Sequence, residues 1–65
     1  MNLKLLRTKR IQQRLTQEKL AEMAGMTRSN YTRKETGKIS FNLGDIRGLR
    51  KALKLTNKEV VEIFF

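Results

Sequence analysis

The chain has 65 residues, the size of one small domain, and its 15 lysine and arginine residues outnumber its 6 acidic residues to give a net charge of +9. It contains no cysteine and no histidine, which excludes disulfides, the usual zinc sites and nucleophile–histidine catalysis. No apolar run approaches the roughly 20 residues of a membrane span, and the first residues lack the apolar stretch of a signal peptide. We therefore expect a single cytoplasmic domain over residues 1–65 that binds a polyanion.

Capping residues divide the chain into five predicted helices. In each case a Thr or Asn precedes the helix, with one apolar residue before that cap and another four places after it, which is the spacing of a hydrophobic staple. The proposed caps are Asn2, Thr16, Thr27, Asn42 and Thr56. The predicted helices cover residues 3–13, 17–24, 28–35, 43–53 and 57–64. With no strand pattern between them, the sequence predicts an all-α fold.

The first predicted helix is basic and ends just before Arg14. The next two helices are separated by a short turn that contains Gly25, a residue that tolerates positive φ. Two short helices joined by such a turn form a helix-turn-helix, in which the second helix can enter a DNA major groove.

The outer face of the third predicted helix is polar and cationic. Arg28, Ser29, Thr32 and Arg33 fall on one side of it, opposite Tyr31. Arginine can bond bidentately to guanine, and serine and threonine adapt to several base edges. Asn30 lies at the margin of this face, where a role in starting the helix is an equal alternative to DNA contact.

The fourth predicted helix contains Gly44 and Gly48, each of which costs it up to about 1 kcal/mol relative to alanine; the sequence offers no physical reason for Gly48.

The positive charge is unevenly distributed along the chain. Residues 1–38 hold 10 Lys/Arg and 3 Glu, whereas residues 39–65 hold 5 Lys/Arg and 3 acidic residues. We assign Lys19, Lys51, Lys54 and Lys58 to the solvated surface.

The apolar residues left on the helix faces define a predicted core. It consists of Leu6, Ile11, Leu15, Leu20, Ala21, Met23, Ala24, Tyr31, Ile46, Leu49, Leu53, Val60 and Phe64.

The segment from Leu15-Thr16-Gln17 to Gly37-Lys38 resembles the Cro/CI-type phage repressor family, also called the XRE family. The matching residues within and around it are Leu6, Arg7, Arg10, Leu15, Thr16, Gln17, Leu20, Ala21, Gly25, Thr27, Ser29, Arg33, Glu35, Gly37, Lys38, Ala52, Leu53 and Thr56. The resemblance implies a compact five-helix domain of the lambda-repressor-like type, with the helix-turn-helix in helices 2 and 3. It also implies a weak homodimer that forms or strengthens on DNA, through candidates Leu55, Val61, Ile63 and Phe65.

The resemblance further implies roles for individual residues. Arg10 and Glu35 would form a structural ion pair between helix 1 and the end of helix 3, and Gln17 would bond a phosphate. The candidate DNA-binding residues are Lys9, Gln17, Thr27, Arg28, Ser29, Asn30, Thr32, Arg33 and Lys38. Lys34 replaces a bulky apolar residue of the family, so its aliphatic stem would help to anchor helix 3. Arg14 stands where glycine is common in the family, so we expect it either to adopt a strained backbone or to alter the turn slightly.

The resulting prediction is a sequence-specific double-stranded DNA-binding regulator, a Cro-like or CI-like repressor on an inverted-repeat operator. It would act in a bacterial or phage-infected cell, near the nucleoid, without cofactor, metal or small-molecule substrate, and not as an enzyme. Two alternatives stay open: a non-specific polyanion-binding protein, and a helix-turn-helix-fold module that binds proteins.

Overall fold

The computed structural model describes all 65 residues as five α-helices without strands. The helices are α1 (Leu3–Gln12), α2 (Gln17–Met23), α3 (Arg28–Glu35), α4 (Leu43–Leu53) and α5 (Asn57–Phe64). The predicted all-α, five-helix fold is therefore confirmed, and it is consistent with a lambda-repressor-like domain. None of the five is long and apolar enough to span a membrane.

All five predicted N-caps are present. Each cap side chain accepts a hydrogen bond from the backbone N–H three residues on, which satisfies one of the donors left free at a helix start. At α4 and α5 the acidic residue three places on, Asp45 or Glu59, also accepts from the N–H of the cap and completes a capping box. Local sequence chemistry thus determines where each helix begins.

The first four helices also end alike, with a residue in the left-handed region. Gly25 (φ 77°) and Gly37 (φ 85°) follow α2 and α3, and Arg14 (φ 58°) and Lys54 (φ 55°) follow α1 and α4. After α3, Gly37 N–H donates to the Lys34 carbonyl and the next N–H donates to the Arg33 carbonyl, which is the Schellman arrangement. Of the two outcomes expected for Arg14, the structure shows the strained backbone, because a side chain disfavours this conformation.

The core lies between all five helices and excludes two residues that were predicted for it. Ile11 is 57% exposed and Met23 is 46% exposed, because each projects from the outer side of the last turn of its helix. The prediction for these two is wrong. The buried apolar residues are Leu6, Leu20, Ala21, Tyr31, Phe41, Ile46, Leu49, Leu53, Leu55, Ile63 and Phe64, and Glu35 and Asp45 are buried as well.

Three buried apolar residues were missing from the predicted core, and two of them had been assigned to a dimer surface. Leu55 and Ile63 are 6% and 0% exposed, so they pack inside the domain and cannot form an interface between copies. Val61 (58% exposed) and Phe65 (75% exposed) are the two dimer candidates that remain at the surface. The third buried residue, Phe41, contacts the ring of Phe64 edge to face at a centroid distance of 5.5 Å.

The structure supplies the missing reason for Gly48. A Cβ at this position would lie 2.7 Å from the backbone carbonyl oxygen of Ala24, at the end of α2. The glycine therefore allows α4 to lie directly against the α2 backbone. Because α2 in turn supports α3, this close approach helps to set the position of the helix-turn-helix.

Candidate nucleic-acid interface

The helix-turn-helix consists of α2, a turn through Gly25 and Met26, and α3. Met26 N–H donates to the Ala21 carbonyl (2.8 Å), which ends α2, and Thr27 Oγ1 accepts from Asn30 N–H (3.2 Å), which starts α3. Tyr31 on the inward side of α3 is completely buried, and its ring contacts that of Phe41 at a centroid distance of 6.3 Å. The opposite side of α3 consequently faces outward.

An ion pair joins α1 to the end of α3. Arg10 Nε lies 3.1 Å from Glu35 Oε2 and its Nη2 lies 3.2 Å from Glu35 Oε1, so the contact is bidentate. Arg10 Nη1 also donates to the Leu15 carbonyl (2.8 Å), in the turn before α2. Arg10 and Glu35 side chains are 12% and 3% exposed. One arginine thus connects three segments: α1, the start of the helix-turn-helix and the end of α3.

Gln17 and Thr32 extend this network toward the surface. Gln17 Nε2 donates to Glu35 Oε1 (3.4 Å), and Gln17 Oε1 accepts from Thr32 Oγ1 (3.1 Å). A glutamine amide nitrogen carries two hydrogens, so one N–H of Gln17 remains for a ligand. Both side chains are half-buried, and they connect the buried ion pair to the outer face of the domain.

The remaining candidate residues of α3 lie on its exposed side. Arg28, Ser29, Asn30 and Arg33 are all exposed, and Thr27 at the N-cap is exposed as well. The Arg28 side chain is 68% exposed, with its guanidinium 3.8 Å from the Glu18 carboxylate. A cavity of about 430 Å³ opens beside it, lined by Arg10, Thr16, Gln17, Glu18 and Arg28. Sequence reasoning did not single out Glu18, which contributes a negative charge next to Arg28.

The two candidate lysines lie in different surroundings. Lys38 is exposed in the turn after α3, where its backbone N–H bonds the Arg33 carbonyl (2.8 Å). Lys9 on α1 forms an ion pair with Glu59 of α5, at a nitrogen–oxygen distance of 2.5 Å. The Lys9 ammonium, with the Thr56 backbone N–H as the second cause, lowers the pKa of Glu59 to about 2. A phosphate contact by Lys9 would compete with this pair.

The charged end of Lys34 has a partner that the sequence did not reveal. Its ammonium bonds the carboxylate of Asp45, and the two side chains are 13% and 11% exposed. The same Asp45 oxygen accepts from the Asn42 backbone N–H (3.0 Å) in the capping box. Asp45 therefore ties the last turn of α3 to the first turn of α4, in addition to the anchoring expected from the Lys34 stem.

A helix-turn-helix whose second helix is fixed on one side and exposed on the other defines a class of DNA-binding domain. The chain belongs to the helix-turn-helix domain family, which its residues 3–63 match. This match is consistent with the resemblance to Cro/CI-type proteins and indicates a DNA-binding regulator. No curated protein and no solved structure matches the chain.

Proposed function

We propose that this domain is a sequence-specific double-stranded DNA-binding repressor, acting in the bacterial or phage-infected cell, with α3 in the major groove. The observation that carries the proposal is the two-sided character of α3. Its inward side is fixed by buried Tyr31 and by the Arg10–Glu35 pair, whereas its outward side exposes Arg33 and Ser29. Side chains on a rigid helix can meet base edges in a defined register.

The contacts of the proposed interface divide into two kinds. Arg28, Ser29, Asn30, Thr32 and Arg33 would meet base edges or the adjacent backbone, and Arg33, in the second turn of α3, is the candidate for a bidentate bond to guanine. Thr27, Gln17, Lys38 and Lys9 would meet phosphates, which position the domain without reading sequence. The free amide N–H of Gln17 suits a phosphate oxygen.

We further propose a weak two-fold dimer on DNA. One α3 spans a few base pairs, so specificity requires two half-sites about 34 Å apart. Exposed Val61 and Phe65 project one helical turn apart from the outer side of α5. Asn2 N–H donates to the Ile63 carbonyl (2.6 Å), which brings the 60% exposed Met1 to the same end of the domain.

Selection of bound fragments from a random pool of DNA duplexes tests the function. An inverted repeat with half-sites one helical turn apart is the expected result. With Arg33→Ala, the base preference at one base pair in each half-site should be lost. A featureless pool would contradict sequence-specific binding and favour non-specific polyanion binding. A site without symmetry, bound by one copy in ultracentrifugation, would contradict the dimer. Repression is tested separately, by placing the selected site over a promoter and measuring transcript with and without the protein.

A further inference from the structure

The ion pairs of this domain leave part of its unpaired positive charge concentrated on one helix. Each of the 6 acidic residues has a lysine or arginine within 4.0 Å, and the six cations so paired are all different. Of the 15 basic residues, 9 therefore have no acidic partner. Four of these lie together on α4 and its C-terminal turn: Arg47, Arg50, Lys51 and Lys54.

These four residues, which we call the α4 basic cluster, share one face. Their spacing of three and four residues places them on the side of α4 away from buried Ile46 and Leu49. All four are exposed, and together with Leu55 they line a cavity of about 470 Å³. The cluster shares no residue with the cavity at the start of α2.

Stability alone does not account for the cluster. Cations in the last turn of a helix interact favourably with its dipole, and this interaction explains Arg50 and Lys51. Arg47 lies a turn earlier, and its like-charged neighbours at Arg50 and Lys51 oppose helix formation by a few tenths of a kcal/mol each. In the sequence, Lys51 and Lys54 resemble ordinary solvated charges, but the structure places them in a concave surface without any counter-charge.

We propose that the α4 basic cluster binds the phosphates of a second DNA duplex while α3 holds the first. The cluster spans about 10 Å along the helix, a length over which duplex DNA carries about six charges. Two of the four side chains are arginines, whose planar guanidinium matches phosphate oxygens bidentately. The inference rests on the proposed DNA binding by α3, and it would make the domain a bridge between duplexes.

The composition of the surface favours DNA over a protein or a membrane. Leu55, the apolar residue of the cavity, is 6% exposed, so the cluster offers no apolar anchor of the kind that dominates protein interfaces. Binding at a membrane surface also needs exposed apolar side chains beside the cations, and the cavity lining contains none, because its one apolar residue, Leu55, is buried.

A two-duplex capture experiment tests the proposal. A selected duplex is immobilised and saturated with the full chain, and retention of a second, labelled duplex of unrelated sequence is measured across a salt series. The test variant is Arg47→Gln with Lys51→Gln. The matched control is Lys4→Gln with Lys58→Gln, which removes the same charge from exposed positions elsewhere.

The wild type and the control should retain the second duplex equally. The test variant should bind the immobilised duplex normally, but the logarithmic salt slope for the second duplex should fall by about two, because two phosphate contacts are lost. Equal retention by test and control variants would overturn the inference, as would a test variant with weakened binding to the first duplex. Retention of labelled poly-glutamate in place of the second duplex would identify an acidic protein as the ligand and also overturn it. Failure to bind the first duplex would instead contradict the proposed function itself.

Discussion

The inward and outward sides of α3 both carry polar side chains, but they differ in their contacts with the rest of the domain. On the inward side, Glu35 is bonded by Arg10 and Gln17, and Tyr31 has no exposed surface. On the outward side, Arg33 and Ser29 have no side-chain bond to any other residue. The comparison shows that the stabilising contacts of this eight-residue helix lie on one side and the side chains proposed to contact DNA on the other, so substitutions should separate stability from binding.

The largest expected effect is that of Tyr31→Ala on the inward side. Removing a fully buried aromatic side chain should lower the free energy of unfolding by about 3–5 kcal/mol. Since a domain of this size has only about that much stability, DNA binding should be lost together with the fold. Chemical denaturation followed by circular dichroism measures the change. A loss of binding with an unaltered melting curve would contradict the structural role of Tyr31.

The next largest effect is that of Glu35→Ala, which should lower the free energy of unfolding by about 3 kcal/mol, because it leaves the nearly buried Arg10 guanidinium without its carboxylate. The check is a double-mutant cycle with Arg10→Ala, measured by denaturant unfolding. The two single costs should overlap, so that the double variant loses clearly less than their sum. Strict additivity would indicate that the pair contributes nothing as a pair.

On the outward side, Arg33→Ala should cost about 1–3 kcal/mol of binding free energy and relax preference at one base pair in each half-site. Its unfolding free energy should stay within about 0.5 kcal/mol of the wild type, because Arg33 is exposed. Lys58→Ala, at a side chain that is 87% exposed on α5, is the matched control. A uniform loss of affinity for all sequences would instead show that Arg33 contacts a phosphate and does not read a base.

Gln17 lies between the two sides, and its replacement should affect both. Gln17→Ala removes the hydrogen bonds to Glu35 and Thr32 and should lower stability by about 1 kcal/mol. It should also weaken binding to every duplex by the same factor, because a phosphate contact carries no base identity. Binding profiles over single-base variants of the selected site, together with melting curves, measure the two effects. A change in base preference would show that Gln17 reads sequence.

The smallest expected effect is that of Tyr31→Phe, which tests a polar atom inside the apolar core. The Tyr31 hydroxyl is buried without a hydrogen-bond partner, so its removal should raise stability by about 1 kcal/mol or less. Burial raises the pKa of Tyr31 above its usual value near 10, with the nearby Glu35 carboxylate as the second cause. The unfolded chain thus loses this proton at lower pH than the folded one, so the wild type loses stability as pH rises above about 10, in addition to the cost of the unpartnered hydroxyl.

Melting curves between pH 8 and pH 11 are measured for Tyr31→Phe and for the wild type. Both proteins contain the same lysines, so the difference between their curves is free of lysine titration. The wild type should lose more stability above about pH 10 than the variant does. Parallel curves would show that the phenol does not titrate on unfolding.

The sequence predicted the helices better than it predicted the side-chain contacts. Thr27 and Gly37 specify the ends of α3 through local bonds, so short-range chemistry was sufficient there. Ile11 was predicted for the core but is exposed, because helical periodicity alone does not say how far each face of a helix is covered. Leu55 was predicted for the surface but is buried, because it lies in the turn between α4 and α5, where no periodicity applies. The Lys34–Asp45 pair and the contact of Gly48 with Ala24 join distant segments, and nothing in the local pattern indicates them. The assignment of Arg33 and Gln17 to DNA contacts stays a prediction.

Arg14 and Lys54 have a consequence for how long the protein survives in a cell. Each occupies a helix end where the matching positions after α2 and α3 carry glycine, and each costs about 1 kcal/mol in the left-handed conformation. Proteases degrade the unfolded fraction, and a change of 1–2 kcal/mol alters that fraction about 5–30-fold. These two exposed side chains are therefore expected to affect the abundance of the protein through its unfolded fraction.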